Sequence, residues 1–344
     1  MKQFVKEILL FALVLIVVLS MIFYFAYPSY VDGIYDMTIF YQLEKNTVDV
    51  LVLGSSHAFE GINTNVLWHN AGISSFTLAG SEQPFWNTYY YLKEALKYQT
   101  PQLIVLDVYS ATKDYEYSDN SRIIKNTFGL KNSEDRLNAI KVSSPEDQLQ
   151  NYLLGIPAYH SMVLDVTAKD LMPYKGDSGY YKNWKGFLEN YETLAVKDQD
   201  LSKIEEIGCI SDKTYEYFIK TIELAKTNDI PILLITIPYF LEDEEDQKIY
   251  NRVAQIAQEC GVKYVDFNQS FDQIGLDIST DFGDCHHLNY LGNVKFTTAL
   301  ADYISKNYEV SDRRGDAKWQ SWEDCYQYWL GFREKRIVKI QKGE

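Results

Sequence analysis

Residues 48–64 read VDVLVLGSSHAFEGINT, an apolar run broken abruptly by a glycine, two serines and a histidine. Val48 to Leu53 suits a buried strand of a parallel sheet, which is apolar on both faces. Gly54 then ends the pattern. In α/β proteins such a turn can hold a hydroxyl at the carboxyl edge of the sheet, where the next helix offers free backbone N–H groups. Two readings stay open from this stretch alone. Ser55 and Ser56 are good N-cap residues, or one of them is a nucleophile.

The pattern repeats outward from that strand. Further apolar runs at Phe76 to Ala79, Leu103 to Val108, Ile230 to Pro238 and Val262 to Asp266 read as strands. Between them, Phe85 to Tyr98, Lys213 to Asn228, Glu244 to Cys260 and Leu291 to Asn307 carry apolar residues at helical spacing. Alternation of this kind predicts a doubly wound α/β fold around a parallel sheet. From Ala111 to Ile210 the periodicity weakens, and PYKGDSGYYKNWKG (173–186) reads as loop. A hundred residues exceed a simple connection, so this segment is expected to be an inserted lid or subdomain with helices of its own. The expected divisions are 1–28, 29–110, 111–210, 211–308 and 309–344. In the last of these, an aromatic amphipathic stretch ends in basic residues, placed either on the core or near a membrane surface.

Ile8 to Tyr27 is a run of twenty residues without a charge, long enough at about 1.5 Å per residue to cross a hydrocarbon core of about 30 Å. Lys2 and Lys6 precede it, so the positive-inside rule predicts a cytoplasmic amino terminus and an extracytoplasmic remainder. A cleaved signal peptide is the competing reading, but the run is long for one and YFAYPSY has no clear small-x-small site. An uncleaved single-pass anchor in the cell membrane is therefore expected.

With 48 acidic against 33 basic residues the formal charge is −15, which argues against nucleic acid as a partner. Cys209, Cys260, Cys285 and Cys325 are far apart and form no Cys-x-x-Cys pair, so neither a zinc site nor a dense disulfide framework is indicated, and one disulfide stays open; no cofactor is expected. The 28 tyrosines and six tryptophans suit a core or interface as readily as a carbohydrate or acyl groove.

A second motif stands at 281–304, DFGDCHHLNYLGNVKFTTALADYI, ahead of a helix expected near Tyr290. A carboxylate three residues before an imidazole can accept the ring N–H and stabilise the imidazolium formed on proton abstraction. Ser56, His287 and Asp284 would together supply nucleophile, base and orienting group if the sheet brings both turns to one edge. His286 competes with His287 for the role of base. His57 reads as a structural or rim residue, and Cys285 as a small buried hydrophobe.

LGSSH (53–57) and DCHHLN (284–289) resemble the first and last blocks of SGNH/GDSL-type serine hydrolases and acyltransferases. The form with Ser in place of Asp resembles the membrane-anchored branch related to the teichoic acid D-alanyl transfer protein and to polysaccharide O-acetyltransferases. The resemblance covers roughly residues 47–110 and 213–307. It implies a flavodoxin-like three-layer α/β/α fold, with Ser56, His287 and Asp284 as triad. It also implies an oxyanion hole from the Ser56 and Gly80 N–H groups. The family's Gly-x-Asn block has no counterpart in LDVYSAT (106–112), so Gln83 is expected to supply a side-chain donor. By the same resemblance the substrate is an O-acyl or D-alanyl ester on a cell-envelope glycan or teichoic-acid-like polymer, and a multi-span membrane O-acyltransferase is the expected partner. Transfer, simple carbohydrate esterase activity and a non-catalytic glycan-binding or scaffold role all remain open.

Overall fold

The computed structural model describes residues 2–25, 31–114, 116–154, 184–197, 199–241 and 244–343. In chain order the elements used below are α1 (Lys2–Phe25), α2 (Asp36–Phe40), β1 (Val50–Gly54), α3 (Ser56–Gly61), α4 (Thr64–Ala71), β2 (Ser75–Ala79), α5 (Phe85–Ala95) and β3 (Leu103–Asp107). They continue with α6 (Asn120–Thr127), α7 (Glu134–Ser143), α8 (Leu149–Leu154), α9 (Asp212–Thr227), β4 (Ile232–Thr236), α10 (Glu244–Cys260), β5 (Lys263–Asp266), α11 (Phe271–Ile274), α12 (Gly292–Asn307) and α13 (Gln320–Gln341).

All five strands are parallel, in the order β2-β1-β3-β4-β5. Side chains alternate across a strand, and here both faces are apolar. Val50, Val52, Val105, Leu233 and Ile235 meet Phe59 of α3, Leu67 of α4 and Phe296, Leu300 and Ile304 of α12 on one side. Leu51, Leu53, Ile104, Leu106 and Leu234 meet Tyr91 of α5, Phe218 and Ile222 of α9 and Tyr250 and Val253 of α10 on the other. The result is the expected three-layer α/β/α arrangement. Between β1 and β3 the strand order changes direction, which opens a crevice at the carboxyl edge of the sheet.

Each expected strand forms; β1, β4 and β5 start one or two residues late, β2 starts one residue early and β3 starts where expected. β4 begins at Ile232 rather than Ile230 because Pro231 has no N–H for the ladder, although its carbonyl accepts from Ile104 N at 2.9 Å. β1 begins at Val50, and the Asp49 side chain is taken up by Arg313, whose Nε and Nη2 donate to its two oxygens at 2.8 and 2.9 Å. α5 ends at Ala95, three residues before its expected end.

Residues 116–154 of the insertion pack against the α5 side of the molecule. Ile123, Ile124, Phe128, Ile140 and Tyr152 cluster with Ile34, and Trp86 Nε1 and Asn87 Nδ2 of α5 donate to Ser143 Oγ of α7. The stretch 155–183, which holds most of the expected loop, lies outside the described residues. On the return, Lys185 O accepts from Thr77 N at 2.9 Å and covers the outer edge of β2.

The tail docks on the core. Trp319, Trp322 and Trp329 are buried, and their indole N–H groups donate to Thr47 O, Ser75 O and Glu189 Oε2. At the other terminus, α1 is long and apolar enough to cross a membrane by length and composition, and none of that span is buried against the protein. Ala26 and Tyr27, the end of the expected span, lie outside the described residues. All four cysteines are free thiols.

Candidate active site

Ser56 is the first residue of α3, immediately beyond β1. Ser55 caps that helix, its hydroxyl accepting from His57 N at 3.4 Å. The turn can form only because residue 54 is glycine. A Cβ there would lie 2.7 Å from Asp107 Cβ and 3.0 Å from Ala58 Cβ, and the backbone has φ +154°.

Asp284 and His287 stand on a loop pinned from several sides. Phe282 and Leu288 form an isolated antiparallel bridge, and Gly283 N donates to His287 O. Buried Asn289 is the main fastener: its Nδ2 donates to Thr280 O at 2.7 Å and to Glu192 O at 3.1 Å, and its Oδ1 accepts from Leu291 N at 2.9 Å at the start of α12. The returning insertion adds Asn190, whose carbonyl accepts from Tyr290 N at 2.7 Å and whose Nδ2 donates to Glu60 of α3 at 3.0 Å. Asp284 Oδ1 accepts from the backbone N–H groups of His286 and His287 at 2.7 and 2.9 Å, which fixes the carboxylate.

These two turns meet. His287 Nδ1 lies 2.9 and 3.0 Å from the two Asp284 oxygens, and its Nε2 lies 2.8 Å from Ser56 Oγ. A carboxylate can only accept, so Nδ1–H donates to Asp284 and Nε2 is left to accept from the Ser56 hydroxyl. Burial pulls the His287 pKa down, but the hydrogen bond to Asp284 and the charges of Glu60, Asp284 and Asp107 outweigh it and hold it above the ordinary imidazole value. Burial raises the Asp284 pKa, yet its hydrogen bonds and the His287 charge hold the carboxyl below the usual range. Each partner thus favours its charged form.

His286 is not in this line; its ring centroid is 6.3 Å from that of His287. His57 is buried, stacked on Tyr109 at 3.7 Å and edge-on to Tyr239 at 4.8 Å. Burial, with the charges of His287, His286 and Lys113, holds it far below the ordinary value and so neutral. Its two ring nitrogens have no hydrogen-bond partner among the described residues. Cys285 O accepts from Phe240 N. Gly80 closes β2 against Asn126, since a Cβ there would fall 2.1 Å from Asn126 Oδ1. Gln83 is fully buried, and one N–H of its Nε2 donates to Thr88 Oγ1 at 3.0 Å in the first turn of α5.

Asp107 was not among the expected residues. It is the last residue of β3 and 1% exposed; its Oδ2 accepts from Ser55 Oγ at 3.1 Å and its Oδ1 from Tyr109 N at 3.2 Å. Burial, opposed by the hydrogen bonds from Tyr109 and Ser55, pushes its pKa up to about 7. A lone carboxylate closing an otherwise apolar strand was the signal available in the sequence.

The chain is thus a three-layer α/β protein with a hydrogen-bonded serine–histidine–aspartate line at the carboxyl edge of its sheet. No protein-family model matches it, and no curated protein matches it. Among solved structures it is similar to a candidate acylhydrolase of Bacteroides fragilis, with TM-score 0.40 and 12% identity over 81% of this chain and 98% of that one. It is also similar to a gut microbial diltiazem-metabolizing enzyme, with TM-score 0.35 and 11% identity over 76% of this chain and 48% of that one. At these scores neither likeness bears on function.

Proposed function

We propose that the protein is a serine esterase or acyltransferase of the SGNH type, with Ser56 as nucleophile, His287 as general acid and base, and Asp284 as its orienting group. The observation that carries this reading is the line Ser56 Oγ to His287 Nε2 at 2.8 Å and His287 Nδ1 to Asp284 at 2.9 Å. In the first half-reaction Nε2 takes the Ser56 proton as Oγ bonds to the ester carbonyl carbon. The carbonyl oxygen becomes an oxyanion held by the Ser56 and Gly80 N–H groups. Ser56 N, at the start of α3, has no intrahelical acceptor. The C–O bond then breaks, His287 returns the proton to the departing alcohol, and the acyl group stays on Ser56. In the second half, water or a sugar hydroxyl gives its proton to His287 and bonds to the acyl carbon, the bond to Ser56 Oγ breaks, and His287 returns the proton to Ser56 Oγ.

The resemblance of LGSSH and DCHHLN extends this to a substrate class, an O-acyl or D-alanyl ester of a cell-envelope glycan. Helix α1 as an uncleaved anchor would place the domain outside the membrane, beside a multi-span acyl-exporting partner. Full-length protein in detergent, given an activated acetyl ester and an oligosaccharide acceptor, is expected to form acetylated sugar, with Ser56→Ala inactive. Free acetate as the sole product would make it an esterase. Turnover unchanged in Ser56→Ala would overturn the proposal.

A further inference from the structure

Both neighbours of Ser56 are held by the end of β3. On one side Ser55 Oγ donates to Asp107 Oδ2 at 3.1 Å, with Ser55 N at 3.5 Å from the same oxygen. On the other, the His57 ring stacks on Tyr109 at 3.7 Å. Asp107 also fixes Tyr109 through its backbone N–H at 3.2 Å, so one carboxylate ties both contacts together. Ser55 in turn caps α3 through His57 N. Asp107 is 1% exposed and Ser55 fully buried, so water does not compete for these bonds. β1 and β3 are neighbours at the point where the strand order reverses, and the clamp therefore spans the crevice that holds Ser56.

Resting on the reading of Ser56 as nucleophile, we propose that Asp107 is a positioning residue that acts through Ser55. It sets where Ser56 Oγ and the Ser56 N–H stand relative to His287 and the substrate carbonyl, without touching either. Buried carboxylates are costly unless their lone pairs are used. Two of the three hydrogen bonds that repay this one, from Ser55 Oγ and Ser55 N, belong to the nucleophile turn, and the third comes from Tyr109 N. An apolar residue at 107 would fill the core at lower cost but could not hold that turn.

The test uses full-length protein in detergent and a fluorophosphonate, whose adduct is located by peptide mass spectrometry. Asp107→Asn keeps the acceptor for Tyr109 N but presents an N–H₂ group toward Ser55. Ser55→Ala removes only the hydroxyl and carries the test by itself if Asp107→Asn does not fold. With melting temperature and KM near those of wild type, the expected result is a fall of about 10- to 100-fold in both kcat and the rate of Ser56 modification. The double variant should fall no more than about threefold below the weaker single, because both act through the shared Ser55–Asp107 contact. Wild-type modification at Ser56 with unchanged rates in the variants would overturn the positioning role and leave the nucleophile in place. A wild type that is not modified at Ser56 would overturn both.

Discussion

Replacing Asp284 by Asn leaves the volume of the site unchanged and reverses one hydrogen bond. In wild type the carboxylate takes Nδ1–H of His287 at 2.9 and 3.0 Å and two backbone N–H groups on Oδ1. An asparagine would keep its oxygen toward the backbone N–H groups, which places N–H₂ at the other position, 3.0 Å from Nδ1. The N–H₂ group repels a proton on Nδ1, and the one acceptor left to that proton, Oδ1 at 2.9 Å, already takes two backbone N–H groups, so the imidazole would favour its proton on Nε2. That nitrogen could then no longer accept from Ser56 at 2.8 Å. A wrong tautomer of this kind costs about 10³- to 10⁴-fold in kcat, or about 4–5.5 kcal/mol. The pH profile should move as well. Only neutral His287 can take the proton, so kcat/KM rises with pH through a midpoint above the ordinary histidine value, where Asp284 contributes to holding it. The variant loses that contribution, and its midpoint should move to lower pH. Aryl acetate turnover from pH 5 to 9 measures both effects. A variant within tenfold of wild type, with an unmoved midpoint, would refute the role given to Asp284.

Asp107 should leave a signature in stability. Its folded pKa is about 7, against about 3.9 in an unfolded chain. Between these values the folded protein holds a proton that the unfolded chain has released, so this group's contribution falls as pH rises through that window and levels off above it. From pH 4.5 to 8, wild type should lose about 3 kcal/mol relative to Asp107→Asn in urea unfolding; a constant difference would contradict the assignment. Arg313→Ala would strand the Asp49 carboxylate, which is 6% exposed and now bound bidentately. The expected loss is about 3 kcal/mol in the same assay, with kcat unchanged because the pair sits at the opposite end of β1. For topology, protease added to intact cells expressing the chain should digest the large domain, and protection until lysis would reverse the proposed orientation.

The strands were legible because buried parallel strands announce themselves as unbroken apolar runs, and Val50–Gly54 differs from its expected bounds only at the ends. The pairing of Asp284 with His287 was legible for a local reason, since three residues of loop fix their separation. The same Asp-x-x-His spacing, with the Leu-Asn that follows, favoured His287 over His286, and it is His287 Nδ1 that lies 2.9 Å from Asp284. Asp107 was missed because its partner, Ser55, is 52 positions away and becomes a neighbour only through the strand order β1-β3. The tail stayed open because an amphipathic aromatic stretch fits a membrane surface as well as a core. What decides it is that three indole N–H groups find carbonyl and carboxylate acceptors inside the protein.

The most direct measurement is the mass of the protein itself during turnover. Full-length wild type mixed with an aryl acetate and quenched in acid within a second should carry one acetyl group, mapped to the peptide containing Ser56, and Ser56→Ala should carry none. An acetyl group on Cys285 or His57, or turnover with Ser56 never modified, would contradict the account at its centre.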